Sequence, residues 1–433
     1  MSVGVRIGCG AGFAGDRIEP AVDLVERGEL DTLVLECLGE RTVSLAALRA
    51  GDGSGPGYDP LLRRRLLPLL EPLARHGTRL VTNAGAADPV GAARMVRELA
   101  RAEGLSPRIA AVTGDDVLDR IDRSAPAWED GLPLESHGEL VSAHAYLGAE
   151  TLLPALRGGA DIVIAGRAAD PSLFLAPLSE RLGWDPDDEE LAASGTLVGH
   201  LLECAGQVSG GYFADPGVKD VPDLANLGFP IAEVDGDGSA VITKLPGTGG
   251  RVDGMTVAEQ LTYEVTDPAA YLTPDVSLDM RGVELSRAGA DRVRVAGARG
   301  RPRPDRLKVS VGYRAGFRGE GEISYAGPGA AARARLAGEV VRERLGDRVR
   351  TRVDVLGDAT EVSGECRLRV AGTGPDRAGA EAVEEEVTAL YTCGPAGGGG
   401  ARTRSTEVIG ILSTTVGRDL VEPGITHVGE ETR

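Results

Sequence analysis

Aromatic residues are scarce in this chain: Phe, Tyr and Trp make up 3% of 433 residues. The core must therefore be filled by Val, Leu, Ile and Ala, and the 62 glycines leave many loops that bend through Gly. Lysine is rarer still. It occurs only at Lys219, Lys244 and Lys308, so the basic charge is almost all Arg, which reads as codon bias and not as chemistry. Basic charge is also in deficit, with 47 Lys and Arg against 66 Asp and Glu, a net −19. That field repels the backbone of nucleic acids and anionic membrane surfaces, and it argues against both as partners. The five cysteines, Cys9, Cys37, Cys204, Cys366 and Cys393, are odd in number, widely spaced and without a Cys-x-x-Cys. This pattern excludes a zinc ribbon or a disulfide framework and points to a reducing, cytoplasmic compartment with no structural metal. The opening residues, MSVGVRIGCG, lack a charged region followed by an apolar one, so no signal peptide is expected. No run of about 18 apolar residues suggests a membrane span.

What is present suits a globular protein. Hydrophobic residues make up 42% of the chain, and a chain of this length divides into two or three domains of roughly 100–200 residues each. Over the first 170 residues, short β-rich runs alternate with helical patterns. Strands are expected at Val3–Gly8, Thr32–Glu36, Arg79–Asn83, Arg108–Thr113 and Asp161–Ala165. Helices are expected at Arg17–Arg27, Pro60–His76, Val90–Ala102 and Ala149–Arg157. The alternation predicts an α/β fold, a parallel sheet with helices on both faces. Helix signals fade after about residue 205. Short strands then follow, at Ala240–Lys244, Arg292–Ala296, Lys308–Gly312, Glu322–Tyr325, Val349–Leu356 and Arg367–Val370, with a helix at Gly329–Leu345. The second half thus reads as a mixed α+β sheet, and the expected domains are residues 1–205 and 206–433.

In an open α/β sheet, ligands bind beyond the carboxyl ends of the strands. Polar residues collect at those ends here: Asp16 and Arg17; Glu36, Glu40 and Arg41; Asn83; Asp115 and Asp116; Arg167 and Asp170. Singly, each reads as a helix cap or a surface ion pair. Together they suggest a site in which neighbouring carboxylates are driven to different pKa values for acid/base work. The first loop contains a literal G-x-G-x-x-G at Gly10, Gly12 and Gly15, with Glu36 about 20 residues on, which is the dinucleotide-binding context. A tight turn with close helix–sheet packing explains the same glycines. His137 and His144, seven apart, would share a face of a helix. Neither has a partner at zinc spacing, and each reads alone as a solvated or core histidine. Glycine-dense segments follow at Glu203–Pro216 and at Tyr391–Arg404. In the second, Gly397–Gly400 lead to Arg402 and Arg404, which suits phosphate or a disordered loop. Cys204 and Cys393 read as buried thiols and not as nucleophiles.

These segments resemble the acyclic terpene utilisation family AtuA from Ile7 to about Gly417. The motifs are IGCGAGFAGDR at 7–17, LECLGERT at 35–42, TNAG at 82–85, VTGDDV at 112–117 and GADIVIAGRAAD at 159–170. They continue with CAGQVSGGYFADP at 204–216, GFPIAEV at 228–234, ITKLPGTGG at 242–250, LTYEVTDPAAYLTPDV at 261–276 and YTCGPAGGGG at 391–400. The resemblance implies a lyase or hydratase acting on an acyl thioester, with coenzyme A or a carrier protein bearing the acyl group and no cofactor. The residues it carries over are Glu36, Glu40, Arg41, Asn83, Asp115, Asp116, Arg167, Asp170, Gln207 and Lys244. Many members continue into a small ferredoxin-like domain, so a small partner subunit or a homo-oligomer is expected. The leading reading is the large subunit of a hydratase or dehydratase. Glu40 and Asp116 form its acid/base pair, His137 is the outside candidate, and the glycine loop holds the enolate oxygen. The alternatives are a carbon–carbon lyase, an NAD(P)-dependent oxidoreductase and a non-catalytic acyl-binding scaffold.

Overall fold

The computed structural model describes residues 4–357 and 364–429. Val3, expected to open the first strand, lies outside them. The first part of the chain runs β1 (Val5–Ala11), α1 (Glu19–Arg27), β2 (Thr32–Leu35), α2 (Glu40–Asp52), α3 (Leu62–His76), β3 (Arg79–Thr82), α4 (Pro89–Ala102) and β4 (Ile109–Thr113). It continues through β5 (Leu140–Ala145), α5 (Ala149–Arg157), β6 (Ile162–Ala165), α6 (Ser172–Leu182), α7 (Glu189–Leu202), β7 (Pro230–Val234), β8 (Ala240–Lys244) and α8 (Gly254–Thr262). Then come β9 (Tyr271–Leu272), β10 (Ser277–Asp279), β11 (Glu284–Gly289), β12 (Arg292–Ala296), β13 (Arg299–Arg301) and β14 (Arg306–Ala326). The remainder is α9 (Ala330–Leu345), β15 (Arg350–Leu356), β16 (Glu365–Gly374), α10 (Arg377–Cys393), β17 (Gly398–Gly417) and β18 (Gly424–Val428).

The fold is mixed α/β. Its large sheet has the order β11-β12-β8-β7-β1-β2-β3-β6-β4-β18. The five central strands, β1-β2-β3-β6-β4, are parallel. Apolar runs such as TLVL and IVIA are buried at every position, as expected for parallel strands covered on both faces. Helices α1, α3 and α4 pack with one another against these strands, and α5, α6 and α7 form a second group. The two faces can be read in β1. A Cβ on Gly10 would stand 2.8 Å from Ala21 of α1, whereas the Cys9 thiol, one residue earlier, turns to the Glu203 carbonyl beyond α7. The outer edges of the parallel strands do not stay open: β7 pairs antiparallel with β1, and β18 with β4.

The described residues divide into two compact units, and not at residue 205. The first holds the residues up to Leu132, Val141–Val311 and those from Leu412 on; the second holds Pro133–Leu140 and Gly312–Ile411. The reason is pairing. Strands β7, β8, β12 and β11 extend the sheet that β1 begins, so these later segments complete the first unit.

In the second unit the elements run β14-α9-β15-β16-α10-β17, and the strands order as β15-β16-β14-β17. This is the split β-α-β arrangement of ferredoxin-like folds, so a unit of that order lies within the chain. Its core joins Ile323, Leu368 and Val370 of the sheet to Ala337 and Val341 of α9 and to Val383 and Val387 of α10. Of the glycine tract at 397–400, Gly397 closes a turn and the rest is strand, since β17 starts at Gly398. Leu140–Ala145, which carries His144, is also a strand, so the two histidines do not share a helix face. Among the described residues, no helix is long and apolar enough to cross a membrane.

Candidate active site at the carboxyl ends of the parallel strands

Because β1, β2, β3, β6 and β4 run parallel, the residues that follow them meet at one edge of the sheet. Glu36 leaves β2 buried, and its Oε1 accepts from the backbone N–H of Leu38 at 2.8 Å and from Asn83 Nδ2 at 2.9 Å. Asn83, just after β3, also accepts from the Cys37 N–H at 2.8 Å. One amide thus pins the turn that presents Glu36. Burial raises the Glu36 carboxyl above the usual range, against the opposing pull of Arg167 and the Asn83 hydrogen bond.

Arg167 follows β6 and is 1% exposed. It donates through Nη1 to the Leu38 carbonyl and through Nη2 to Asp170 Oδ1 at 2.5 Å. Its guanidinium lies 4.2 Å from the centroid of the Tyr146 ring. Burial opposes its charge, but Asp170, Glu36 and Glu40 around it hold the guanidinium protonated. The Arg167 Nε is buried with no partner among the described residues.

Glu40 opens α2, where a carboxylate suits the helix N-terminus. Its Oε1 accepts from the Tyr146 hydroxyl at 2.6 Å and from Lys308 Nζ at 3.3 Å. Burial alone would raise its pKa, yet the Tyr146 hydrogen bond and the charges of Arg167 and Lys308 prevail and bring it to about 2.

A second acid enters from the end of α7. Glu203 Oε1 lies 3.1 Å from His200 Nδ1, and its Oε2 is buried without a partner among the described residues. Burial raises the Glu203 pKa despite His200. The Tyr271 ring packs 5.0 Å from that of His200. Burial, with the Glu203 and Asp170 charges, raises its hydroxyl pKa, so it stays an O–H donor. Burial likewise raises the Asp170 carboxyl, against the pull of Arg167. The edge around the guanidinium therefore carries Glu40 held ionised, and Glu36, Glu203 and Asp170 held toward the acid form.

Asp115, after β4, is also buried. Its Oδ2 accepts from His144 Nδ1 and from the Arg167 N–H, each at 2.8 Å. It therefore braces the start of the Arg167 turn. Asp116 differs: it is exposed, and its Oδ1 accepts from the Leu118 N–H, closing a local turn. His137 belongs to the second compact unit, where Nδ1 lies 3.1 Å from the Pro133 carbonyl. Arg41 is exposed on α2.

The first loop has a different geometry from a dinucleotide turn. Strand β1 runs on through Gly10, and α1 begins only at Glu19. The Gly12 N–H donates to Asp16 Oδ2 at 2.8 Å, and a Cβ on Gly12 would lie 2.4 Å from the Glu203 carbonyl oxygen. Gly15 packs against the Phe13 ring. Gly12 alone of these glycines lets the Glu203 backbone approach the end of β1. Arg17 is exposed and donates to the Ala225 carbonyl at 2.8 Å, beside an open cleft of about 450 Å³ that also takes in Glu19, Asp23 and Phe229. Gln207 shares a hydrogen bond with the Tyr263 hydroxyl. Lys244 is buried and tied to the Thr248 carbonyl at 2.9 Å and to Asp291 at 3.3 Å. Cys204 is half-buried with its thiol pKa raised by burial, whereas Cys393 ends α10 exposed. Among the described residues, no three His, Cys, Asp or Glu side chains group as a metal site.

Tyr146, Lys308, His200, Glu203 and Tyr271 were not among the expected site residues. For Lys308 a signal existed in its rarity: one of only three lysines in an Arg-rich chain stands against Glu40. Glu203 heads a glycine-dense segment already singled out in the sequence. Tyr271 lies within the motif at 261–276 but was not singled out there, and Tyr146 had no local signal.

No curated protein and no solved structure matches the chain. A family model does match, over residues 5–427, and by this span the chain belongs to the acyclic terpene utilisation family AtuA.

Proposed function

We propose that the chain is a hydratase or dehydratase of acyl thioesters, with acyclic, branched acyl chains as the class of substrate that its family name suggests. The observation that carries this reading is the split among the carboxyl groups, with Glu40 low and Glu36 and Glu203 raised. Groups whose environments drive their pKa values apart are suited to paired acid and base roles. A carboxylate near pKa 2 is a poor proton acceptor at neutral pH, so Glu40 acts as a fixed charge that orients Tyr146 and Lys308. Glu36 and Glu203 exchange the protons. In the dehydration direction one of them, ionised, takes the proton α to the thioester carbonyl. The C–H electron pair becomes the new π bond, and the other, in its acid form, protonates the β-hydroxyl, which leaves as water. The unpartnered Arg167 Nε is a donor for the carbonyl oxygen as negative charge develops there. The reaction needs no electron acceptor, and the acyl group rides on coenzyme A or a carrier protein.

The test is a panel of branched enoyl and β-hydroxyacyl coenzyme A thioesters, followed by the ultraviolet absorbance of the conjugated thioester. Wild type should turn over at least one of them. Glu36→Gln and Glu203→Gln should each lower turnover about 100-fold or more with unchanged circular dichroism. Turnover that survives in both variants, or no turnover across the panel, overturns the reading.

A further inference from the structure

Far from the carboxylates, at the amino end of β4, lies a cleft of about 310 Å³ lined by Arg97, Arg101, Arg108 and His427. Among the described residues no carboxylate lines it, and its apolar wall includes Leu105 and Val428. In a chain of net charge −19, such a gathering of cationic side chains runs against the overall field. Arg97 and Arg101 stand one turn apart on α4, at positions that share a helix face. Neither has an ion pair among the described residues, and the Arg97 Nε is buried with no partner. Arg108, by contrast, is already matched to Asp161 at 3.2 Å. Among the described residues, two guanidiniums are thus left without counter-charge, one of them with a desolvated donor, in a cavity of the size that holds small ligands.

We propose that this cleft is a second ligand site, which binds the phosphate group of a small metabolite between Arg97 and Arg101. The guanidinium fork matches phosphate oxygens in a bidentate manner, and the apolar wall accommodates the body that carries the phosphate. The site is separate from the carboxylate edge. Ile109, the first residue of β4, pairs with Val428 of β18, while Asp115 lies beyond the other end of β4. The length of β4, four steps of roughly 3.3 Å or about 13 Å, therefore separates the two places.

The source of the phosphate, free or carried on a nucleotide, is separated by the probes. Inorganic phosphate and adenosine monophosphate are titrated into the full chain by isothermal calorimetry, with sodium chloride at matched ionic strength as the control. Saturable binding of one or both is expected, together with a rise in Tm, since the ligand binds the folded state. Arg97→Gln and Arg101→Gln should each weaken binding about tenfold or more, the loss expected for one charge-assisted contact. Arg101 is exposed, so its variant should fold even if the Arg97 variant does not. Binding by inorganic phosphate as tight as by the nucleotide identifies a free-phosphate site, and tighter nucleotide binding identifies an organic phosphate. No saturable heat with either probe, or wild-type affinity in Arg101→Gln, overturns the proposal.

Discussion

The imidazole of His200 stands between two acceptors: Nδ1 is 3.1 Å from Glu203 Oε1, and Nε2 is 3.2 Å from the Leu261 carbonyl oxygen. A neutral imidazole donates from one nitrogen only. Either His200 is an imidazolium beside an ionised Glu203, or Nε2–H donates to Leu261 while Nδ1 accepts from a protonated Glu203. Both arrangements store one proton on the pair. Burial opposes the charge on His200, but Glu203 prevails and raises its pKa, while burial raises that of Glu203. Both groups are thus held toward their protonated forms.

His200→Gln removes the group that favours ionised Glu203. Glu203 should then hold its proton to higher pH, and the acidic limb of the pH profile of kcat/KM should move upward. A profile that superimposes on wild type would detach this pair from the chemistry.

Gly12 tests the link between the first loop and Glu203. A Cβ there would meet the Glu203 carbonyl oxygen at 2.4 Å and Cys204 Cα at 2.5 Å. Gly12→Ala should cost about 1–3 kcal/mol, the range for forced overpacking, and should disturb Glu203. Gly51 provides the contrast: it lies in α2 with nothing within 4 Å of its would-be Cβ. Gly51→Ala should stabilise by up to about 1 kcal/mol. Urea unfolding of both variants decides, and equal effects would contradict the packing described.

Arg167 is the counter-charge for a crowd of carboxylates. Arg167→Leu leaves Asp170, Glu36 and Glu40 facing one another without it. The expected loss is about 3–5 kcal/mol, as when one member of a buried pair is removed. Chemical denaturation that shows a loss under about 1 kcal/mol would mean that this guanidinium is not what balances them.

Asp275 should shape the acid side of the stability curve. It accepts from the Ala149 N–H at 2.8 Å and from the Ser172 hydroxyl, yet burial pushes its pKa from 3.8 to about 6. The folded state thus binds this proton more tightly than the unfolded chain. Its contribution to stability falls as pH rises from about 4 to 6, by roughly 2–3 kcal/mol, and the cost persists above. Asp275→Asn should flatten that interval. An unchanged pH dependence of ΔG in the variant would refute the assignment.

His144 acts on the opposite side. Burial opposes its charge, but the hydrogen bond and charge of Asp115 prevail and raise its pKa above 6.5. The stability from this pair is fully present below 6.5 and is lost as pH rises through the folded value. His144→Gln should be less stable than wild type below neutrality and should converge with it in mild alkali. Parallel curves across that range would show that the pair does not titrate.

Much of the large sheet was legible in local sequence. TLVL, RLVT and IVIA are short apolar runs bounded by turns, and that pattern alone predicts buried parallel strands. Parallel strands with a crossover on each place their ends along one edge, so Glu36, Asn83, Arg167 and Asp170 could be named in advance. Each sits within a few residues of a strand whose signal is local. The rest of the site was decided by tertiary structure. Lys308 reaches Glu40 across 268 positions in sequence, Tyr146 reaches it across 106, and Glu203 sits beside β1 because Gly12 admits its backbone. The same holds for the division of the chain, since β7 pairs with β1 although several helices and strands lie between them in sequence. Hydrophobic periodicity records which face of an element is buried. It does not record which distant element covers that face. That choice belongs to packing and to the pairing of strand edges, and here it determined which carboxyl groups were desolvated and which were matched by charge.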